Sequence, residues 1–247
     1  DTTAKKNSWF LRSRWFYAAA ASAALIVFIG AWYFRKPAPQ TLEIVQTKFG
    51  ETKIVQLPDG SVVQLNANSS LSFFKEWNKE NVRTVTLSGE AYFKVSKSPA
   101  GLHPKFRVQM PEAVIEVKGT AFNVYNRHKE VRVLLEEGKI VLNDSLNMKP
   151  GEMMRIANGQ HQWIHEDPVQ STAWKQHRLV YKDLPLTVIA RDLNDIYGYQ
   201  IKFGSKKLEG LLFTGSCSAD DPMLLLSAIA TVHELKMKKN DSMILFE

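Results

Sequence analysis

Gly119-Thr120, inside the stretch "VKGTAFNV" (Val117 to Val124), is the place in these 247 residues where residue type and spacing point to a covalent step. A threonine hydroxyl can attack the carbonyl that precedes it and shift the amide to an ester, which water then opens. The hydroxyl is the nucleophile, the glycine leaves the carbonyl unhindered, and local strain of about 1–3 kcal/mol assists. Gly119 and Thr120 are therefore a candidate self-cleavage site. The alternative is a purely structural β-bulge. Ala113, Ile115 and Val117 put apolar groups at odd positions, whereas Phe122 and Val124 put them at even ones. One extra residue near Gly119 to Ala121 would reconcile that switch with the period of two that a strand requires.

The other chemistry-bearing combinations are weaker. Ser72-x-x-Lys75 matches one part of the serine penicillin-binding pattern, but no Ser-Asp-Asn or Lys-Thr-Gly accompanies it. His161 and His165 lie four apart on an expected strand, hence on one face, yet zinc needs three or four ligands. The chain has no P-loop, no dinucleotide fingerprint after a strand, no His-Glu-x-x-His and no Gly-x-Ser-x-Gly. Cys217 is the one cysteine, which excludes an intramolecular disulfide and a cysteine-based metal cluster. No enzyme activity is expected apart from the possible cleavage at Gly119-Thr120, and no cofactor or metal.

The net charge of +7 does not imply nucleic-acid binding. Six basic residues and one acidic residue lie before Pro37; beyond it 26 Lys and Arg face 24 Asp and Glu, leaving no basic face. Between the two basic groups, Trp15 to Phe34 is free of charge and has aromatic residues at both ends. Twenty helical residues span roughly 30 Å, the thickness of a bilayer core. The expectation is a transmembrane helix at 15–34, with a cytoplasmic remnant at 1–14 because the basic excess lies on that side. Residues 35–42, with Pro37 and Pro39, form a stiff linker.

Residues 43–166 read as short strands. Pro58-Asp59-Gly60 and Asn158-Gly159 mark hairpins, and Ser88-Gly89 and Glu137-Gly138 read as further turns. Residues 174–247 change pattern. Asp183 and Pro185 open a helix whose face is Leu186, Ile189, Leu193 and Ile196 and which Gly198 ends; Asp221 and Pro222 repeat the device. The expected fold class is a single transmembrane helix, then an all-β sandwich or roll, then a small two-layer α/β domain of order βαβ-βαββ. Sheet edges in such a small domain suit strand addition by a partner.

Several stretches carry a resemblance: "LPDGSVVQLNANSSLSF" (Leu57–Phe73), "VTLSGEAYFKV" (Val85–Val95), "FRVQM" (Phe106–Met110), "VIEVKGTAFNV" (Val114–Val124), "VRVLLEEGKIVL" (Val131–Leu142) and "MKPGEMMRI" (Met148–Ile156). In order and spacing the chain resembles the FecR family of membrane-anchored anti-sigma factors and sigma regulators. The part after Trp174 is similar to the C-terminal domain of Bacteroidetes members, itself like the short N-terminal domain of secretins and TonB-dependent receptors. The resemblance implies an inner-membrane protein with its bulk in the periplasm. Its implied partners are an extracytoplasmic-function sigma factor, held through a helical domain upstream of this chain, and the N-terminal signalling domain of a TonB-dependent outer-membrane transporter. Some members cleave themselves at a Gly-Thr matching Gly119-Thr120. Lys118 departs from the small or apolar residue more usual there, and only 14 residues precede the expected anchor, so no sigma-binding residue is assigned. Two other readings compete with signal transduction. One is a tethered module for a glycan or cell-wall ligand, with Trp77 and Trp163 as contacts; the other is an enzyme built on Ser72/Lys75 or His161/His165.

Overall fold

The computed structural model describes residues 20–30, 41–77, 82–97 and 105–247, and the chain forms two units, residues 1–40 and 41–247. In the first unit the described residues are one helix, α1, over 20–30. Eleven residues rising 1.5 Å each cover about 16 Å, half of a bilayer core. Among the described residues no helix is long and apolar enough to cross a membrane. That finding corrects the expected transmembrane helix and, with it, the expected single-pass inner-membrane location. Positions 1–19 and 31–40, which include both ends of the expected span and most of the expected linker, lie outside the described residues.

The second unit opens with thirteen strands. These are β1 (Leu42–Gln46), β2 (Lys53–Gln56), β3 (Val62–Leu65), β4 (Ser70–Phe74), β5 (Arg83–Lys94), β6 (Phe106–Gln109) and β7 (Val114–Val117), then β8 (Ala121–Arg127), β9 (Glu130–Glu137), β10 (Ile140–Leu142), β11 (Leu146–Met148), β12 (Met153–Ala157) and β13 (Gln160–Ile164). They form two halves that share β5. Arg83 to Ser88 pair with β4 and β6, while Gly89 to Lys94 pair with β3 and β8. The first half continues outward through β6, β7, β10 and β11, the second through β8, β9, β12 and β13. Alternate side chains from both halves, among them Leu71, Val85, Phe93, Ile115, Phe122, Val133 and Ile140, make one apolar core. Ser88-Gly89 is thus no turn: β5 runs through it. Gly89 sits at φ +95°, and a Cβ there would lie 2.6 Å from the Cβ of Ser69, so only glycine lets the strand change halves at that point.

Asn158-Gly159 is a two-residue hairpin turn, both residues at positive φ, closing β12 on β13. The Pro58-Asp59-Gly60 turn joins β2 to β3, and its Asp59 carboxylate takes the fully buried Arg83 guanidinium as well as the Ser61 amide.

A helix α2 (Pro168–Thr172) and a 3₁₀ turn (Ala173–Gln176) lead to the C-terminal part. It comprises β14 (Arg178–Pro185), α3 (Leu186–Tyr197), β15 (Gln200–Phe203), a one-turn α4 (Lys206–Glu209), β16 (Leu212–Ser218), α5 (Pro222–Val232), β17 (Met237–Asn240) and β18 (Met243–Phe246). The order of elements is βαβ-βαββ with α4 inserted, but the strands make two small sheets. β14 pairs antiparallel with β16; β15 pairs parallel with β18, which pairs antiparallel with β17. A second apolar core gathers Leu186, Ile189, Leu193, Leu225, Leu226, Ile229 and Ile244. Asp221 caps α5 by accepting from the Leu224 amide, and Gly198 ends α3 in the left-handed conformation. Asp183 does not cap α3. It sits at φ +50° in the irregularity between Tyr181 and Leu184 of β14 and accepts from Thr214 on β16. The parts expected at 43–166 and 174–247 lie within the single compact unit 41–247, each with its own core.

Candidate functional site

The strand expected across Val117 to Val124 is two strands. β7 ends at Val117 in the first half and β8 begins at Ala121 in the second, so residues 118–120 carry the chain from one half to the other. The crossing accounts for the parity switch, and a β-bulge lies beside it: Ala121 pairs with Glu137 and Phe122 with Leu135, so the extra residue is Glu136 on β9, not one of Gly119 to Ala121. Each half faces the same core from the opposite side, and the crossing turns odd positions inward before it and even positions inward after it. The expected hairpin at Glu137-Gly138 is a second crossing. β9 belongs to one half, while β10 pairs with β7 and β11 in the other.

The two crossings pack on each other. The Thr120 hydroxyl donates to the Lys139 carbonyl at 3.0 Å, and the Val95 amide donates to the Thr120 carbonyl at 2.9 Å. Thr120 is buried. Gly138 stands at φ +93°, where a Cβ would come within 2.8 Å of the Gly119 carbonyl oxygen and 2.9 Å of Thr120 Oγ1. Gly119 presses on Lys97 in the same way: a Cβ would lie 3.2 Å from Lys97 Cα. Gly119 and Thr120 are therefore brought to a crowded, glycine-lined junction that fixes the hydroxyl.

A second site lies where the C-terminal part covers the outer face of the sheet half built on β3, β5, β8, β9 and β12. Because odd positions of β8 point away from the core, Asn123 and Tyr125 face this cover, as do Glu90 on β5 and Arg132 on β9. Asp195, on α3 and buried, is the hub. It accepts from the Tyr125 hydroxyl at 2.9 Å and lies 2.7 Å from His128 Nε2. Around it the Gly50 amide donates to the Ile196 carbonyl, Asn68 donates to the Asp195 carbonyl, and Phe49 packs against Gly198. Gln64 donates to the Lys175 carbonyl, and Lys175 pairs with Glu136 while lying 3.6 Å above the Tyr92 ring. Deeper in the seam, Glu90 accepts from both Asn66 and Asn123. Burial pushes its carboxyl pKa up, with those two amides pulling it back. Burial likewise raises Asp192, which accepts from the Tyr181 hydroxyl.

The remaining sequence candidates are not assembled. Ser72 and Lys75 share no hydrogen bond, and Ser72 lies within the β1–β4–β5 ladder. His161 meets Asn143 at 3.2 Å, and His165 lies beyond the end of β13. Among the described residues no group of three or more His, Cys, Asp or Glu could hold a metal. Trp77 packs against the main core beside Phe73 and Phe106, whereas Trp163 is exposed on β13. Sequence reasoning missed Asp195, Tyr125, His128, Glu90 and Asn123. The signal available was the run of polar residues at outward positions of β5, β8 and β9, which reads as a solvated face unless a second layer is known to cover it.

Residues 43–141 match the family model described as FecR protein, and residues 178–245 match the model described as FecR, C-terminal. Two crystal structures of candidate anti-sigma factors from Parabacteroides distasonis ATCC 8503, at 2.50 Å and 1.65 Å resolution, have the same fold. Their TM-scores are 0.71 and 0.72, with 27% and 26% sequence identity, and each comparison covers 83% of this chain and 98% of the other. No curated protein matches the chain.

Proposed function

Because the chain belongs to the FecR family, whose two models together match more than half its length, we propose that it regulates an extracytoplasmic-function sigma factor in response to a TonB-dependent outer-membrane transporter. The family and the candidate anti-sigma factors of the same fold support the regulatory role. In this reading the C-terminal part, residues 178–245, receives the transporter's N-terminal signalling domain. The observation that carries it is the seam at Asp195: the receiving part is joined to the β part by directional hydrogen bonds, so a change in one is felt by the other.

Self-cleavage belongs to the same reading. Thr120 Oγ bonds to the Gly119 carbonyl carbon, the Gly119 C–N bond breaks as the Thr120 nitrogen takes a proton, and water divides the ester into a Gly119 carboxylate and a free Thr120 hydroxyl. Its support is the buried, crowded turn around that peptide, in which the Lys139 carbonyl holds the Thr120 hydroxyl.

The test is co-purification of the chain with the N-terminal signalling domain of a TonB-dependent transporter from the same organism, together with a sigma-dependent reporter in cells. Capture of the domain, and a reporter response lost when residues 178–245 are deleted, is the expected result. Absence of binding with both partners folded would overturn the receptor reading.

A further inference from the structure

The seam encloses a cavity of about 110 Å³ between the outer sheet face and the C-terminal cover. Its floor is Glu90, Asn123 and Trp174, with Arg132 beside them; Arg178 and Arg191 stand exposed at its mouth. Buried polar atoms are almost always hydrogen-bonded, and each exception asks for a reason. Three of the exceptions among the described residues line this one cavity: Trp174 Nε1, Arg132 Nε and Asn123 Oδ1. Arg132 Nε lies 3.3 Å from Glu130, but the contact is not aligned as a hydrogen bond.

Three carboxylates also line the cavity, Glu90, Asp192 and Glu166, and none of them is hydrogen-bonded to these donors; Glu166 stays 3.9 Å from the Arg132 guanidinium. Both Glu90 oxygens take Asn66 and Asn123, and Asp192 takes Tyr181. Both amide hydrogens of Asn123 are also committed, to Glu90 and to the Ser171 carbonyl, so its oxygen is fixed as an acceptor. The unmet set is two N–H donors and one acceptor, overlooked by two guanidinium groups.

We propose that this cavity binds a small oxyanion that carries an O–H, of which hydrogen phosphate is the simplest. Its oxygens accept from the Trp174 indole, Arg132 and Arg191; its O–H donates to Asn123 Oδ1. A volume of about 110 Å³ admits a solute of this size, since on the same measure about 10–15 Å³ holds one water molecule. The exposed arginines draw the anion in, and the low dielectric of the floor strengthens its charge-assisted hydrogen bonds. Trp174 belongs to the segment joining the two parts, Asn123 and Arg132 to the β part, and Arg191 to α3. A bound oxyanion therefore bridges both sides of the seam and tightens it. This inference does not depend on the identity of any protein partner.

The experiment is titration of the full chain with inorganic phosphate at constant ionic strength, followed by melting temperature and by calorimetry, with chloride as the matched control. A saturable rise in melting temperature with phosphate and none with chloride is expected, because a ligand that binds only the folded state stabilises it. Trp174→Phe keeps the ring and removes the indole donor, and Arg191→Gln removes the charge from an exposed position that folding does not need. Each should weaken phosphate binding about tenfold or more, the usual cost of losing a charge-assisted bond. No saturable phosphate effect in the wild type overturns the proposal. So does unchanged affinity in Arg191→Gln, which would mark the binding as adventitious surface association. A Trp174→Phe chain that fails to fold leaves Arg191→Gln to decide.

Discussion

Thr120 shows how much a single residue's setting constrains its chemistry. Its hydroxyl donates a hydrogen bond to the Lys139 carbonyl, and its own carbonyl accepts from the Val95 amide, so the residue is held on both sides of the peptide. Thr120→Ala should leave one band on a denaturing gel where the parent gives two, and Thr120→Ser should restore the second, since serine keeps the nucleophile. A parent that stays intact both in cells and after purification would remove the cleavage proposal. Gly138 tests the junction from the other side. An alanine there adds a Cβ within 3 Å of the Gly119 carbonyl oxygen and Thr120 Oγ1, at a φ of +93° that L side chains rarely adopt. Gly138→Ala should cost about 1–3 kcal/mol in chemical denaturation and reduce the cut fraction in parallel. Unchanged stability would mean that the two crossings are not packed as tightly as the contact distances require.

At the scale of elements, what the sequence made legible follows from which physical signal each element emits. α3 declared itself because Leu186, Ile189, Leu193 and Ile196 repeat at the helical period and Gly198 stops it; all four are buried. The β12–β13 hairpin declared itself through Asn158-Gly159, a pair suited to two consecutive positive φ values, whereas the β8–β9 turn reaches them with His128-Lys129, which carry no such signal. The crossings at 118–120 and 138–139 stayed hidden. Alternation reports which side chains face the core, not which half of the fold a strand joins, so a change of half and a bulge give the same parity switch. The seam stayed hidden for a related reason: Glu90, Asn123 and Tyr125 alternate as a solvent-facing set would. One ladder also makes a pH prediction. Glu116 on β7 lies opposite Arg107 on β6 and pairs with Lys105 as well. Hydrogen bonds from those two cations pull its carboxyl pKa below the usual carboxylate value of 4.5. A carboxyl whose folded pKa is depressed stabilises the fold fully above its unfolded pKa, and that contribution disappears as pH falls through the folded value. Glu116→Gln should therefore be less stable than the parent by about 1 kcal/mol at neutral pH, the partners being partly exposed. The difference should close once the pH drops well below 4.5 in urea denaturation; a pH-independent difference would mean that packing, not charge, is at work.

For residues 41–247 as a whole, two apolar cores are joined by a seam of aligned polar contacts beside buried Leu134 and Met153, and this combination sets how the unit should respond to a break. Apolar burial holds each part together without direction, whereas the seam adds a few aligned groups. Ala67 is the residue from the β part that enters the second core, and Phe49 on Gly198 adds one more apolar contact. Asp195 carries the largest share of the aligned contacts. Asp195→Ala removes the acceptor for both Tyr125 and His128 and leaves the Tyr125 hydroxyl buried without its partner, a loss of about 1–3 kcal/mol. The loss falls on the seam and not on either core, because Asp195 touches the β part with its side chain while Leu193 and Ile196 beside it remain in the second core. Hydrogen exchange followed by mass spectrometry should then show α3, β14 and α5 losing protection while β5, β8 and β9 keep theirs. In Tyr125→Phe, which removes one hydrogen bond and no charge, the same pattern should be weaker. Uniform loss across both parts would mean that the unit opens as one cooperative block, and the seam could not then act as the joint through which a signal received at residues 178–245 reaches the rest of the chain.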